Sequence, residues 1–184
     1  MLHRHAGPAV AGSYTLGAVT GATLIAGALF VANGLLSPLP AQWRGGLALC
    51  TLALLALHAT RVLCLDLPQR TYQIPRETFT RRPSHAAFRF AFELGTGVRT
   101  YITATAPYAL ALVLLLSLPQ GLGPAALSAC AAAVGYGLGR SSIVGVQSFR
   151  RAIAVEHPAS WLRAADLIGI AAAVVIAIRF LMTS

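Results

Sequence analysis

What most constrains this chain is the spacing of its apolar runs. Stretches near residues 13–36, 45–65, 98–118, 124–139 and 160–181 are almost free of charge, and the gaps between them hold most of the arginines. A helix needs roughly 20 apolar residues to cross a bilayer, and most of these runs come close. Of 184 residues, 57% are hydrophobic and 10% charged, against about 25% charged in a soluble domain. That is too little polar surface to clothe a soluble core, and no long polar segment remains to form one beside an anchor. The expected fold is therefore an all-α integral membrane protein: a single polytopic domain over 1–184, built as a bundle of about five transmembrane helices.

The runs differ in character. The first carries Gly17-x-x-x-Gly21 with Ala18, Ala22 and Ala26 on an adjacent stripe, a surface that lets helices approach closely in lipid. Ser37-Pro38-Leu39-Pro40 should stop it. His3, Arg4 and His5 resemble the basic start of a signal peptide, but the run is too long and lacks a small-x-small cleavage site, so a retained helix is expected. Trp43 and Arg44 stand as interfacial anchors before the second run, and Asp66 and Pro68 end it. The third stays mostly apolar for 33 residues from Ala86 to Leu118, longer than one span requires, and Gly95-Thr96-Gly97 interrupts it. Each glycine destabilises a helix by about 1 kcal/mol. The third helix should therefore break near Gly95–Gly97, leaving a half-helix over 86–94 before a span over 98–118. The fourth run opens at Pro124 and is built of Ala, Gly, Ser and Cys, which fits a helix inside the bundle. Trp161 stands at the start of the fifth.

Charge orients the bundle. The net charge is +9, and every basic residue is arginine. Eleven arginines (Arg4, those from Arg61 to Arg89, and those from Arg140 to Arg163) fall on one side, against Arg44 and Arg179 on the other. The positive-inside rule then predicts a multi-pass protein of the cytoplasmic (inner) membrane with a cytoplasmic amino terminus. The arginine-rich loops at 67–85 and 140–158 face anionic lipids, each residue contributing roughly 1 kcal/mol of attraction. Arginines confined to the gaps argue against nucleic acid as the partner. A faint internal repeat relates spans two and three to spans four and five: Cys50 and Cys130, Arg61 and Arg140, Arg89 and Arg163, Glu93 and Asp166, and Gly95 and Gly169 recur in order. Both copies would share one orientation, a parallel repeat.

Ionisable groups at membrane depth cost roughly 2.5–3.5 kcal/mol each at a helix centre, so they usually have a use. Arg89 and Glu93, four apart, share a helix face. With Gly95, Thr96, Gly97, Arg99 and Tyr101 they form a polar, glycine-broken segment of the kind transporters use to hold ions or polar substrates. His58 and Arg61, one turn apart near the end of the second span, extend the candidate path. The competing reading puts Arg89 and Glu93 at headgroup level, with Arg99 snorkelling and His58 bonded to a neighbouring helix. Cys50 and Cys130 hold matching places in the repeat and form a candidate redox pair, with small packing residues as the alternative. The glycine-rich run Gly135 to Ser142 has the composition of a phosphate-cradling loop but follows a helix instead of a strand, which favours close packing. No C-x-x-C pair, metal-ligand cluster or activated nucleophile is present, so no metal, cofactor or catalytic residue is expected. The function expected is a transporter or channel-like component with a polar path at the broken third helix, working as a homo-oligomer or within a larger membrane complex. A thiol-redox relay through Cys50 and Cys130 and a non-catalytic subunit or assembly factor are the alternatives.

Overall fold

Helix α1 is described from Pro8, a residue whose missing N–H costs nothing in a first helical turn. The computed structural model describes residues 8–63, 82–96, 105–119, 121–153 and 160–183. They form six helices and no strand: α1 (Pro8–Leu35), α2 (Ala41–Ala59), α3 (Pro83–Thr96), α4 (Ala106–Leu116), α5 (Leu122–Ile153) and α6 (Ser160–Thr183). Two segments, Ala9–Leu35 and Leu122–Ser142, are long and apolar enough to cross a membrane; Ala106–Leu116 and Leu167–Met182 are shorter apolar helices.

The chain divides into two compact units, Met1–Ile25 with Gln69–Tyr101 and Ala133–Glu156, and Ala26–Pro68 with Ile102–Ala132 and His157–Ser184. In the first unit the small residues of α1 meet the backbone of α3. A Cβ on Gly17 would strike the carbonyl oxygen of Phe88, and one on Gly21 that of Phe92; one on Gly95 would strike the carbonyl of Ala18. Ala18 and Ala91 are fully buried beside this seam. The helices are thus in backbone contact, as the Gly-x-x-x-Gly spacing anticipates. Gly137 on α5 does the same to Val19, whose Cα would lie 2.7 Å from an added Cβ.

The second unit has a conventional side-chain core. Ala48, Leu52 and Leu55 of α2, Ala109, Val113 and Leu116 of α4, and Ile170, Ala173 and Ala177 of α6 recur every three or four residues and pack together. Asn33 near the end of α1 donates from Nδ2 to the Leu115 carbonyl at 2.7 Å. Ser37-Pro38-Leu39-Pro40 makes the expected turn, with Leu39 N–H bonded to the Leu36 carbonyl and Trp43 N–H to that of Pro40.

One boundary departs from expectation. The fourth apolar run was expected to end at Gly139 with a polar loop beyond, yet α5 continues to Ile153. Neither proline nor other turn chemistry interrupts Arg140 to Ile153, and the Ser141 and Ser142 hydroxyls donate to the Gly137 and Gly139 carbonyls at 2.9 Å, keeping their polarity within the helix. Arginine there marks where the helix turns polar, not where it stops. This also separates the two halves of the proposed repeat: α2 ends beside Arg61, whereas α5 runs on past Arg140.

Candidate functional site

Four of the residues expected to carry function, Arg89, Glu93, Gly95 and Thr96, lie on α3. Its small residues Ala87, Ala91 and Gly95 are buried, and Glu93 is buried with them at 7% exposure. The Arg89 side chain is exposed and its Nε donates to Glu93 Oε1 at 3.4 Å. Thr96 donates its hydroxyl to the Glu93 carbonyl at 2.9 Å. Phe88 and Phe92 stack with ring centroids 6.3 Å apart, and Phe90 meets Tyr14 at the same distance. Helix α3 is described as far as Thr96, and the predicted break near Gly95–Gly97 reaches beyond the described residues. Gly97, Arg99 and Tyr101 lie outside the described residues.

His58 and Arg61 sit together at the end of α2, where they complete a helix cap. Val62 N–H bonds to the Leu57 carbonyl at 3.0 Å and Arg61 N–H to that of His58 at 2.9 Å, the paired bonds of a Schellman motif. Arg61 holds the left-handed position at φ 62°, usually given to glycine. His58 Nδ1 lies 3.3 Å from the Leu63 carbonyl, so its described partner is in its own cap. Cys50 and Cys130 are both free and exposed. The glycine-rich run from Gly135 to Ser142 is continuous helix, with Gly137 in close packing. Among the described residues no group of three or more His, Cys, Asp or Glu could hold a metal.

One feature of the second unit was not anticipated. Trp43 is exposed, as an anchor should be, but Arg44 beside it is buried at 6% exposure. A snorkelling arginine would show its head to the headgroups; this one is turned inward. It lines a cavity of about 360 Å³ together with Asn33, Gly34 and Ser37 from the end of α1, Leu118 after α4, and Ala125 in the first turn of α5. The guanidinium lies over the Phe180 ring, 5.2 Å from its centroid. Arg44 Nε is buried without a hydrogen-bond partner, and so is the hydroxyl of Ser117, the residue next to Leu118. A sequence signal existed: the positions three and four residues either side of Arg44 are Pro40, Ala41, Leu47 and Ala48, none of them acidic. Nothing on its own helix can pair with this charge.

No protein-family model, curated protein or solved structure matches the chain, so its function rests on the chemistry of these residues.

Proposed function

We propose that this chain is a small multi-pass membrane protein of the transporter or channel-like class, acting as a homo-oligomer or as part of a larger membrane complex, with its polar path at the glycine-broken third apolar run around Glu93. The observation that carries the reading is a carboxylate, Glu93, buried just before the glycine interruption of the third apolar run. At 1.5 Å per residue, α4 with 11 residues is about 16 Å long, so it does not by itself reach across a hydrocarbon core of about 30 Å. Discontinuous helices of this kind free backbone groups in a protein-lined space, where ions and polar substrates bind. Glu93 stands two residues before Gly95, a place where a carboxylate can accept and release a cation or proton. Arg89, Arg99 and Tyr101 belong to the same path by sequence.

The distribution of side chains supports the membrane setting. The buried apolar residues are mostly alanine, while Leu16, Leu24, Leu47, Leu127, Ile168 and Val175 are exposed. Small residues between helices and large apolar ones outside is the arrangement that lipid favours, and in water it would leave extensive apolar patches. With α2, the α3–α4 segment and α6 added to the two long apolar segments, the bundle has five crossings, its arginine-rich face on the cytoplasmic side of the inner membrane.

Flux through reconstituted protein tests the reading. Proteoliposomes carrying the full chain and a potassium diffusion potential should pass protons or sodium ions faster than empty vesicles. Glu93→Gln, which keeps the shape and removes the charge, should reduce that flux at least tenfold. Equal flux in the parent and the Glu93→Gln protein would remove Glu93 from the path, and no flux for either cation would count against transport.

A further inference from the structure

We infer that the cavity at Arg44 is a binding site for the oxyanion group of a small ligand, a phosphate or a carboxylate, with the Arg44 guanidinium as its principal donor. The inference rests on the second unit alone and stands whether or not the glycine-broken run conducts.

Three features meet in this cavity. The first is the unmet donor. Arg44 is more than nine-tenths buried, and its Nε has no partner. A buried donor left unsatisfied costs roughly 1–3 kcal/mol, more when charged. Phe180 offsets part of this through the ring face, but a ring accepts no in-plane N–H. The second is the surrounding field. Arg44 lies near the start of α2, whose first turn has no acidic residue and no side-chain cap. A helix amino terminus is electropositive and normally disfavours a cation, so Arg44 adds positive charge where the helix already supplies it. The first turn of α5 also lines the space, through Leu122 and Ala125, and likewise holds no acid. Two helix starts and a guanidinium around one cavity make an anion site. The third is room with polar neighbours. About 360 Å³ lies within the range of small-ligand pockets, and Asn33 and Ser37 stand beside it to bond the oxygens that Arg44 does not reach.

The shared chemistry, a phosphate or carboxylate oxygen pair facing a guanidinium, can come from a free anion or from a lipid headgroup, and two arms separate them. In the first, the purified full chain in a nonionic detergent is titrated with inorganic phosphate and, separately, with acetate, against chloride at equal ionic strength. In the second, the chain is placed in nanodiscs of phosphatidylcholine with and without phosphatidylglycerol. Thermal unfolding is read in both. The unfolding temperature should rise with a soluble oxyanion if the ligand is free, or only with phosphatidylglycerol if it is a headgroup. Arg44→Gln should raise the half-saturating concentration roughly tenfold or more, the scale of one charge-assisted contact. Arg44→Lys should fall between the two, because it keeps the charge but loses the fork. If Arg44→Gln does not fold, Gly34→Leu decides. Gly34 lines the cavity and a Cβ there meets nothing within 4 Å, so the added side chain occupies space without touching the core; loss of the response in folded protein supports the site. No response in any arm overturns the inference, as does an undiminished response in Arg44→Gln or, where that variant does not fold, in Gly34→Leu.

Discussion

Arginine takes three different parts here, each decided by what surrounds the side chain. Arg89 lies exposed along α3 and lends its charge to a buried carboxylate. Arg44 is buried against Phe180 with a donor to spare. Arg61 matters for its backbone: it holds φ 62° in the cap of α2, a conformation that costs a residue with a Cβ roughly 1–2 kcal/mol. Glycine at this position avoids that strain but loses more entropy from the unfolded chain. Arg61→Gly should therefore stabilise the protein by about 0.5–1 kcal/mol, and Arg61→Val should destabilise it by at least as much. Thermal unfolding in detergent would read both. A loss of stability in Arg61→Gly would mean that the arginine side chain, and not its backbone, holds the end of α2.

Among the elements, α1 and α3 depend on glycine in a position-specific way. Any side chain at Gly21 must push α3 off α1, because it meets the Phe92 carbonyl, which cannot rotate aside. Gly21→Val should cost roughly 1–3 kcal/mol, the usual range for overpacking. Gly27, also on α1, has nothing within 4 Å of an added Cβ, so Gly27→Ala should be neutral or stabilise by up to about 1 kcal/mol through helix propensity. Denaturation of the two variants side by side separates close packing from propensity: similar losses in both would remove the backbone seam as the cause. Helix α5 raises a different point. Its 32 residues make it about 48 Å long, well beyond a hydrocarbon core of about 30 Å. Within it, Leu122–Ser142 is long and apolar enough to cross a membrane. On the five-span reading, the remainder, with Arg150 and Arg151, projects as a polar helix from the cytoplasmic face.

At the scale of the whole molecule, that reading sets an accessibility pattern. In a chain with Cys50, Cys64 and Cys130 replaced by alanine, His3→Cys and Ser148→Cys should both be blocked by a membrane-impermeant thiol reagent only from the cytoplasmic side. Gln42→Cys should react from the opposite side. Labelling of all three from one side would reverse the assigned topology. Much of this architecture was legible beforehand. Apolar runs separated by arginines determine an all-helical chain, because each backbone polar group at membrane depth must be satisfied within its own segment. Gly17-x-x-x-Gly21 announced a close helix contact and Ser37-Pro38-Leu39-Pro40 a turn. These are local signals, carried by residues within a turn or two of one another. Tertiary structure alone decided which partner each residue met. Arg44 has the same sequence setting as any interfacial anchor, and only the approach of α6, α1 and the first turn of α5 buries it. Arg140 reads as a helix end until Ser141 and Ser142 bond back into α5. Arg61 and His58 read as a polar stripe until the chain reverses and caps the helix with them. Burial depends on neighbours far apart in the chain, and hydropathy records only what each residue prefers, not what packing gives it.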